Sequence, residues 1–165
     1  LLDSLPAFEQ PDHQRNAREE AMLVSQIVRN KGAQDVVTVP PETTLAQAAQ
    51  VLSDNRIGAL VVSDNGERVM GILSERDIVR EIARRGAACL TAKIDDVMTR
   101  NVYGCKMDDK ADLVLQTMTS KRFRHIPVMD GGKMLGLISI GDVVAARLSE
   151  LEVEKDALTS MIMGY

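Results

Sequence analysis

Few residues in this chain are typed and spaced for chemistry. The two histidines, His13 and His125, and the two cysteines, Cys89 and Cys105, make no HxxxH, CxxC or CxxH spacing. A metal site needs such closely spaced ligands, so none is expected. Nucleophilic catalysis needs a Ser or Cys beside a positioned base and acid. His125 is the one credible base, and Cys105 falls at a strand position where a core role outweighs a nucleophilic one. Phosphate-loop and dinucleotide glycine fingerprints are absent. No residue is assigned as catalytic, and we expect a binding protein rather than an enzyme.

The more informative pattern occurs twice. Gly71-Ile72-Leu73-Ser74-Glu75-Arg76-Asp77 and Gly136-Leu137-Ile138-Ser139-Ile140-Gly141-Asp142 share the form Gly-hydrophobic-hydrophobic-Ser-x-x-Asp. Ser followed three residues later by an acid is a helix-capping box. The same place offers free amides at a helix N-terminus, suited to phosphate or sugar, and a carboxylate able to accept two hydrogen bonds from a ribose diol. The second copy adds charge through Lys121-Arg122-Phe123-Arg124-His125-Ile126-Pro127-Val128, where the first reads Asn55-Arg56-Ile57-Gly58-Ala59-Leu60-Val61-Val62. A solvated basic edge is the plain reading. Yet Arg124 and His125 replace Gly58 and Ala59 at the start of a core strand, where cations need an anion. Phosphate meets Arg in bidentate fashion, and the small Gly58 and Ala59 leave room for a flat ring.

These motifs belong to a longer internal repeat of about 66 residues. Residues 36–64 align without gaps on 102–130, and 71–83 on 136–148. Each copy predicts a short strand (36–39, 102–105), a helix opened by Pro41-Glu42-Thr43-Thr44 or Asp108-Asp109-Lys110, a buried strand (59–62, 126–129), a turn, a further strand (69–73, 134–138) and a helix begun by Ser74 or Ser139. The order is β-α-β-β-α twice. One copy is too small to bury a good core alone, so we expect an α+β fold of two tandem copies related by pseudo-twofold symmetry. The boundaries read 1–25 lead-in, 26–86 first copy, 94–150 second copy and 151–165 helical extension. A helix is predicted from Asn16 to a stop at Gly32, a short one near 94–97, and a last one from Asp142 to about Ser160. The Leu148, Leu151, Leu158 and Ile162 stripe on that last helix is surplus to the second copy; a second subunit or self-capping would account for it.

Composition limits the partners. The 165 residues are 45% apolar and 27% charged, with net charge −4 and no Trp. Low-complexity disorder and a membrane span are excluded. The acidity opposes nucleic-acid binding, although Arg76, Arg80, Arg84 and Arg85 share a helix face. With only two Phe and two Tyr, a bound base must sit between aliphatic walls. Two cysteines 16 apart read as free thiols in a reducing cytoplasm. The start shows no basic region followed by an apolar one, so no signal peptide is expected.

The two β-α-β-β-α copies, their Gly-h-h-Ser-x-x-Asp ends, Val97-Met98-Thr99-Arg100-Asn101-Val102 and Arg-His-Ile-Pro-Val together resemble a tandem pair of CBS domains, named for cystathionine β-synthase, over about residues 26–150. The resemblance implies a stand-alone regulatory pair that binds an adenosine-containing nucleotide, AMP foremost, with ADP, ATP or NAD(H) as alternatives. It also implies a homodimer that senses the ligand and acts on an unidentified downstream protein. One cleft would use Asp142 for the ribose and Ser139 for ribose or phosphate. Val36, Ile57, Gly58 and Ala59 would lie against the base, with Arg124, His125 and Lys31 towards the phosphate. A second cleft would use Ser74 and Asp77 with Thr99, Asn101, Tyr103 and Phe123. Because Phe123 and Arg124 are bulky enough to fill the second, the Asp142 cleft is the expected site. The rival is a small enzyme acting on a phosphorylated nucleotide with His125 as general base.

Overall fold

The computed structural model describes residues 21–32 and 35–164. In chain order it runs α1 (Val24–Lys31), β1 (Thr38–Val39), α2 (Leu45–Asn55), β2 (Ala59–Val62), β3 (Gly71–Ser74), α3 (Glu75–Arg85), 3-10 turns at Gly86–Thr91 and Ile94–Asp96, α4 (Ala111–Lys121), β4 (His125–Asp130), β5 (Lys133–Ser139) and α5 (Ile140–Met163). Three helices start where a hydroxyl was predicted to cap them. Thr44, Ser74 and Ser139 each accept a hydrogen bond from the amide three residues on, which satisfies one of the orphan donors of a first turn.

The repeat is visible in the register. β1 runs parallel to β2 and β2 antiparallel to β3, while β4 and β5 form an antiparallel hairpin. Ala59 pairs with Ser74, and His125 pairs with Ser139 at the matching place in the second copy. The next amides match too: Glu75 N donates to Gly58 O (2.9 Å) and Ile140 N to Arg124 O (2.8 Å). α2 and α4 both end on an arginine in the left-handed region, Arg56 (φ 52°) and Arg122 (φ 59°).

Some predicted elements differ. α1 starts at Val24 rather than Asn16, because Leu23 is extended and bridges Lys110; residues 16–20, like His13, lie outside the described residues. The strand predicted at 102–105 reduces to Cys105, whose N–H donates to Pro127 O and whose carbonyl accepts from Met129 N. The segment near 94–97 is a 3-10 turn, and α5 continues to Met163.

Two buried clusters form, and they exchange segments. Leu45, Ala48, Leu52, Leu60, Val62, Leu73 and Ile78 of the first copy pack with Cys89, Ile94 and Met98, which follow it. Val114, Met118, Ile126, Val128, Ile138 and Val143 of the second copy pack with Met22, Val24 and Ile27, which precede the first. The segment counted in sequence as the entry to the first copy thus completes the core of the second. The backbone seals this exchange: Val24 N donates to Asp109 O (2.9 Å) and Ile94 N to Thr43 O (2.8 Å).

Candidate functional site

β3 ends at Ser74 because its hydroxyl caps α3, and this places Asp77 one turn into the helix. Ser74 N and Ser74 Oγ both donate to Asp77 Oδ2 (2.8 and 2.9 Å). Asp77 Oδ1 has Arg80 at 3.5 Å, a mostly exposed partner. One carboxylate oxygen is therefore committed to the cap and the other remains open to a ligand hydroxyl.

A cleft of about 300 Å³ opens beside this carboxylate, near the lower end of the range for small-molecule sites. Ser74 at the end of β3 and Glu75, Arg76, Asp77 and Arg80 of α3 form one side, with Gly58 and Ile72 at its floor. Thr99, Asn101, Val102 and Tyr103 form the next, and Lys121, Arg122, Phe123, Arg124 and His125 close it. Backbone bonds tie two of these walls together, since Ile72 N donates to Thr99 O (3.0 Å) and Thr99 N to Ile72 O (2.9 Å). Tyr103 stacks on Phe123 with ring centroids 5.4 Å apart, and the Lys121 ammonium lies 5.6 Å from the Tyr103 ring centre.

The charge balance of the lining is one-sided. Arg76, Arg80, Lys121, Arg122 and Arg124 face Glu75 and Asp77. Of the five cations only Arg80 has a carboxylate partner among the described residues. Four unpaired cations on a concave surface raise the local potential for an anion.

The second copy repeats the cap, and there the carboxylate has a lysine partner. Asp142 Oδ2 accepts Ser139 N (2.8 Å) and also the Lys31 ammonium (2.9 Å), which further donates to Leu137 O (2.9 Å). Burial alone would raise the Asp142 carboxyl; the Lys31 and Ser139 hydrogen bonds and the Lys31 charge outweigh it and hold the group below its usual range. Lys31, expected to face a phosphate, instead pairs with the cap oxygen, Oδ2, of the carboxylate expected to hold the ribose.

His125 stands between the two places. An added Cβ on Gly58 would lie 3.5 Å from its ring, which puts the ring on the floor of the Asp77 cleft. Burial, then the Lys31 charge, lowers its pKa; Arg124 adds to this, and Asp142 and Glu75 oppose it. Burial and the Asp109 charge push the Cys105 thiol up to about 12, which leaves it an inert core group.

The structure brings Ser74, Asp77, Thr99, Asn101, Tyr103 and Phe123 together around one cleft. It joins to them Gly58, Arg124 and His125, which were expected beside Asp142. Lys31, Ser139 and Asp142 gather separately. Ala59 is buried in β2, Ile57 packs on the first core and Val36 is half-buried ahead of β1; none of them lines the cleft. Phe123 does not fill the cleft, because Tyr103 stacks on it and holds it to one side. Sequence reading passed over Ile72, Glu75, Arg76, Arg80, Val102, Lys121 and Arg122 as site residues. Arg76 and Arg80 carry the signal of four-residue spacing on one helix face, and Lys121 and Arg122 belong to the cation run ahead of β4.

The family model for the CBS domain matches residues 24–84 and again 94–149. The chain belongs to the CBS domain family. Its two CBS copies are similar to a CBS domain-containing mitochondrial protein of Arabidopsis thaliana, 32% identical over 94% of this chain and 79% of that protein. Among solved structures, the CBS pair resembles a CBS-domain containing protein from Agrobacterium tumefaciens at 44% identity and TM-score 0.73, covering 76% of this chain and 99% of that one. It also resembles a CBS domain protein from Pyrobaculum aerophilum, solved in complex with AMP, at 26% identity and TM-score 0.68, covering 81% and 99%. No helix among the described residues of the CBS pair is long and apolar enough to cross a membrane, and no group of three or more metal-ligating side chains occurs among them.

Proposed function

We propose that this CBS pair is a regulatory module that binds an adenosine-containing nucleotide, AMP foremost and ADP, ATP or NAD(H) as alternatives, in the cleft beside Asp77. It changes no bond in the ligand and transmits occupancy to a downstream protein. The observation that carries the reading is the single concave surface that combines an open carboxylate oxygen on Asp77 with four cations lacking carboxylate partners. In this reading Asp77 holds the ribose, the base lies along Ile72, Val102 and Tyr103, and Arg76, Arg122, Arg124 and Lys121 meet the phosphate. The AMP complex of the Pyrobaculum aerophilum relative supports the ligand class. The Asp142 cleft, expected from sequence to be the occupied one, is not the one we propose, because Lys31 already neutralises its carboxylate.

We read the chain as a homodimer, since Val79 and Ile82 on α3 and Val144 and Leu148 on α5 are large apolar side chains left exposed. Buried free thiols at Cys89 and Cys105 fit a reducing compartment, for which we propose the cytoplasm. The enzyme reading has one observation in its favour: a depressed pKa keeps His125 neutral, as a general base must be.

One experiment addresses both readings. Mass spectrometry of what the purified protein releases on denaturation, followed by calorimetric titration with AMP and adenosine, should identify an adenine nucleotide and tighter binding of AMP. Equal affinity for AMP and adenosine would remove the phosphate assignment. Chemical change of the nucleotide during incubation, lost on His125→Ala, would replace the regulatory reading with the enzyme one.

A further inference from the structure

α5 outruns the body that it caps. Val143 and Ala146 are its buried residues, and every residue from Leu151 to Gly164 is exposed. About 13 helical residues, roughly 20 Å at the α-helical rise, stand clear of the fold. A helix of that length is marginal in water by itself. Its apolar residues are ordered: Val144, Leu148, Leu151, Leu158 and Ile162, all exposed, leave one gap, and Lys155 fills it. The spacing is then an unbroken alternation of four and three. On an α-helix all six residues fall within about 40° of a single line. Val153, Met161 and Met163 lie off it.

We infer that this stripe is the seam of a parallel two-stranded coiled coil made with α5 of a second copy of the chain. Leu148, Lys155 and Ile162 take the a positions and Val144, Leu151 and Leu158 the d positions. Leucine at d suits parallel dimers, and one Lys at an a position sets register and strand number while reducing stability.

Charge selects both the occupant and its direction. Arg147 and Glu154 stand at g positions and Glu152 at e. In a parallel pair in register, Arg147 meets the partner's Glu152, and Glu154 lies beside the partner's Lys155. Arg147 already bonds Glu150 and Asp112 in its own chain, and the partner's Glu152 joins that group. An antiparallel pair matched over the whole stripe would instead set Glu152 against Glu152 and Glu154 against Glu154, which repels. The acidic run Glu150, Glu152, Glu154 and Asp156 also opposes an anionic lipid surface or a nucleic acid as occupant.

The inference rests on the homodimer reading and states where and how the copies meet. Sedimentation of the full chain at tens of micromolar is compared with Leu151→Glu/Leu158→Glu, Lys155→Glu and Lys155→Leu. Circular dichroism checks that the body, which these exposed residues do not touch, stays folded. The double variant should dissociate at concentrations at least 100-fold higher than those holding the native dimer, Lys155→Glu should weaken association, and Lys155→Leu should tighten it or raise the strand number. Leu158→Cys should form an interchain disulfide under mild oxidation, because d positions of parallel strands face each other; the native thiols are buried. A native dimer that the double variant leaves intact, or that Leu158→Cys does not link, overturns the seam while the homodimer stands. A monomeric native chain overturns both.

Discussion

Replacing Asp77 by Ala separates the two clefts. Asp77 Oδ2 accepts two of the three hydrogen bonds that close the α3 cap, so the variant should lose about 1 kcal/mol of stability. Its Oδ1 has only Arg80 at 3.5 Å, itself three-quarters exposed, a contact worth little in water. Oδ1 is therefore the oxygen available to a ribose hydroxyl. A hydrogen bond to a charged group contributes roughly 1.5–3 kcal/mol, so AMP affinity should fall roughly 10- to 150-fold. Asp142→Ala is the matched control: it removes the equivalent cap and strands the Lys31 ammonium, so it should destabilise at least as much. Its AMP affinity should stay within about twofold of the native value. Asp77→Asn should keep the cap, because the amide oxygen still accepts from Ser74 N, and lose part of the affinity. Thermal melts and calorimetric titration of the three variants give stability and affinity together. If Asp142→Ala weakens AMP as much as Asp77→Ala does, the ligand sits in the other cleft and the argument from Lys31 fails.

Arg124→Ala should erase most of the preference for AMP over adenosine while leaving adenosine affinity nearly unchanged, and raised salt should narrow that preference in the native chain; a titration series of both ligands in two salt concentrations checks this. Because burial lowers the folded-state pKa of His125, its neutral form is favoured on folding. Stability from this source is full above the unfolded value near ~6.5 and declines as pH falls through that value towards the folded one. Denaturant melts between pH 5 and 7.5 should show a slope that His125→Gln flattens, and AMP, whose phosphate favours the imidazolium, should bind better towards the acidic end. Gly71→Ala would set a Cβ 2.5 Å from Met98 Sδ and 2.9 Å from Thr99 O, so it should lose about 1–3 kcal/mol and also weaken AMP, because Thr99 lines the cleft. Gly136→Ala, at the same motif position with nothing within 4 Å, should leave the melting temperature close to native.

The features legible in the sequence are those set by neighbours along the chain. Thr44, Ser74 and Ser139 announce their helices because a cap spans three residues, and the matched pairs Ala59–Ser74 and His125–Ser139 follow from two similar β-turn-β segments. The contact that turns our proposal from the Asp142 cleft to the Asp77 cleft joins residues 111 apart, Lys31 and Asp142, which no local pattern records. The strand expected at 102–105 failed for a related reason. Its Val102 and Tyr103 are strand formers, but Tyr103 stacks on Phe123 and only Cys105 reaches the neighbouring backbone. Likewise α1 shows the right face for burial and no sign of which core will bury it.

That last point governs how the chain becomes folded. Met22, Val24 and Ile27 precede their partners in the chain, and those partners extend from Cys105 to Ala146. The first copy must wait for Cys89, Ile94 and Met98. During translation α1 therefore remains an unsatisfied apolar segment until the second copy has emerged. A chain cut within residues 86–88, ahead of Cys89, should yield two fragments that each carry a segment of the other's core. Neither should fold by itself, and mixing them should restore one cooperative unit, since each fragment carries the piece that the other lacks.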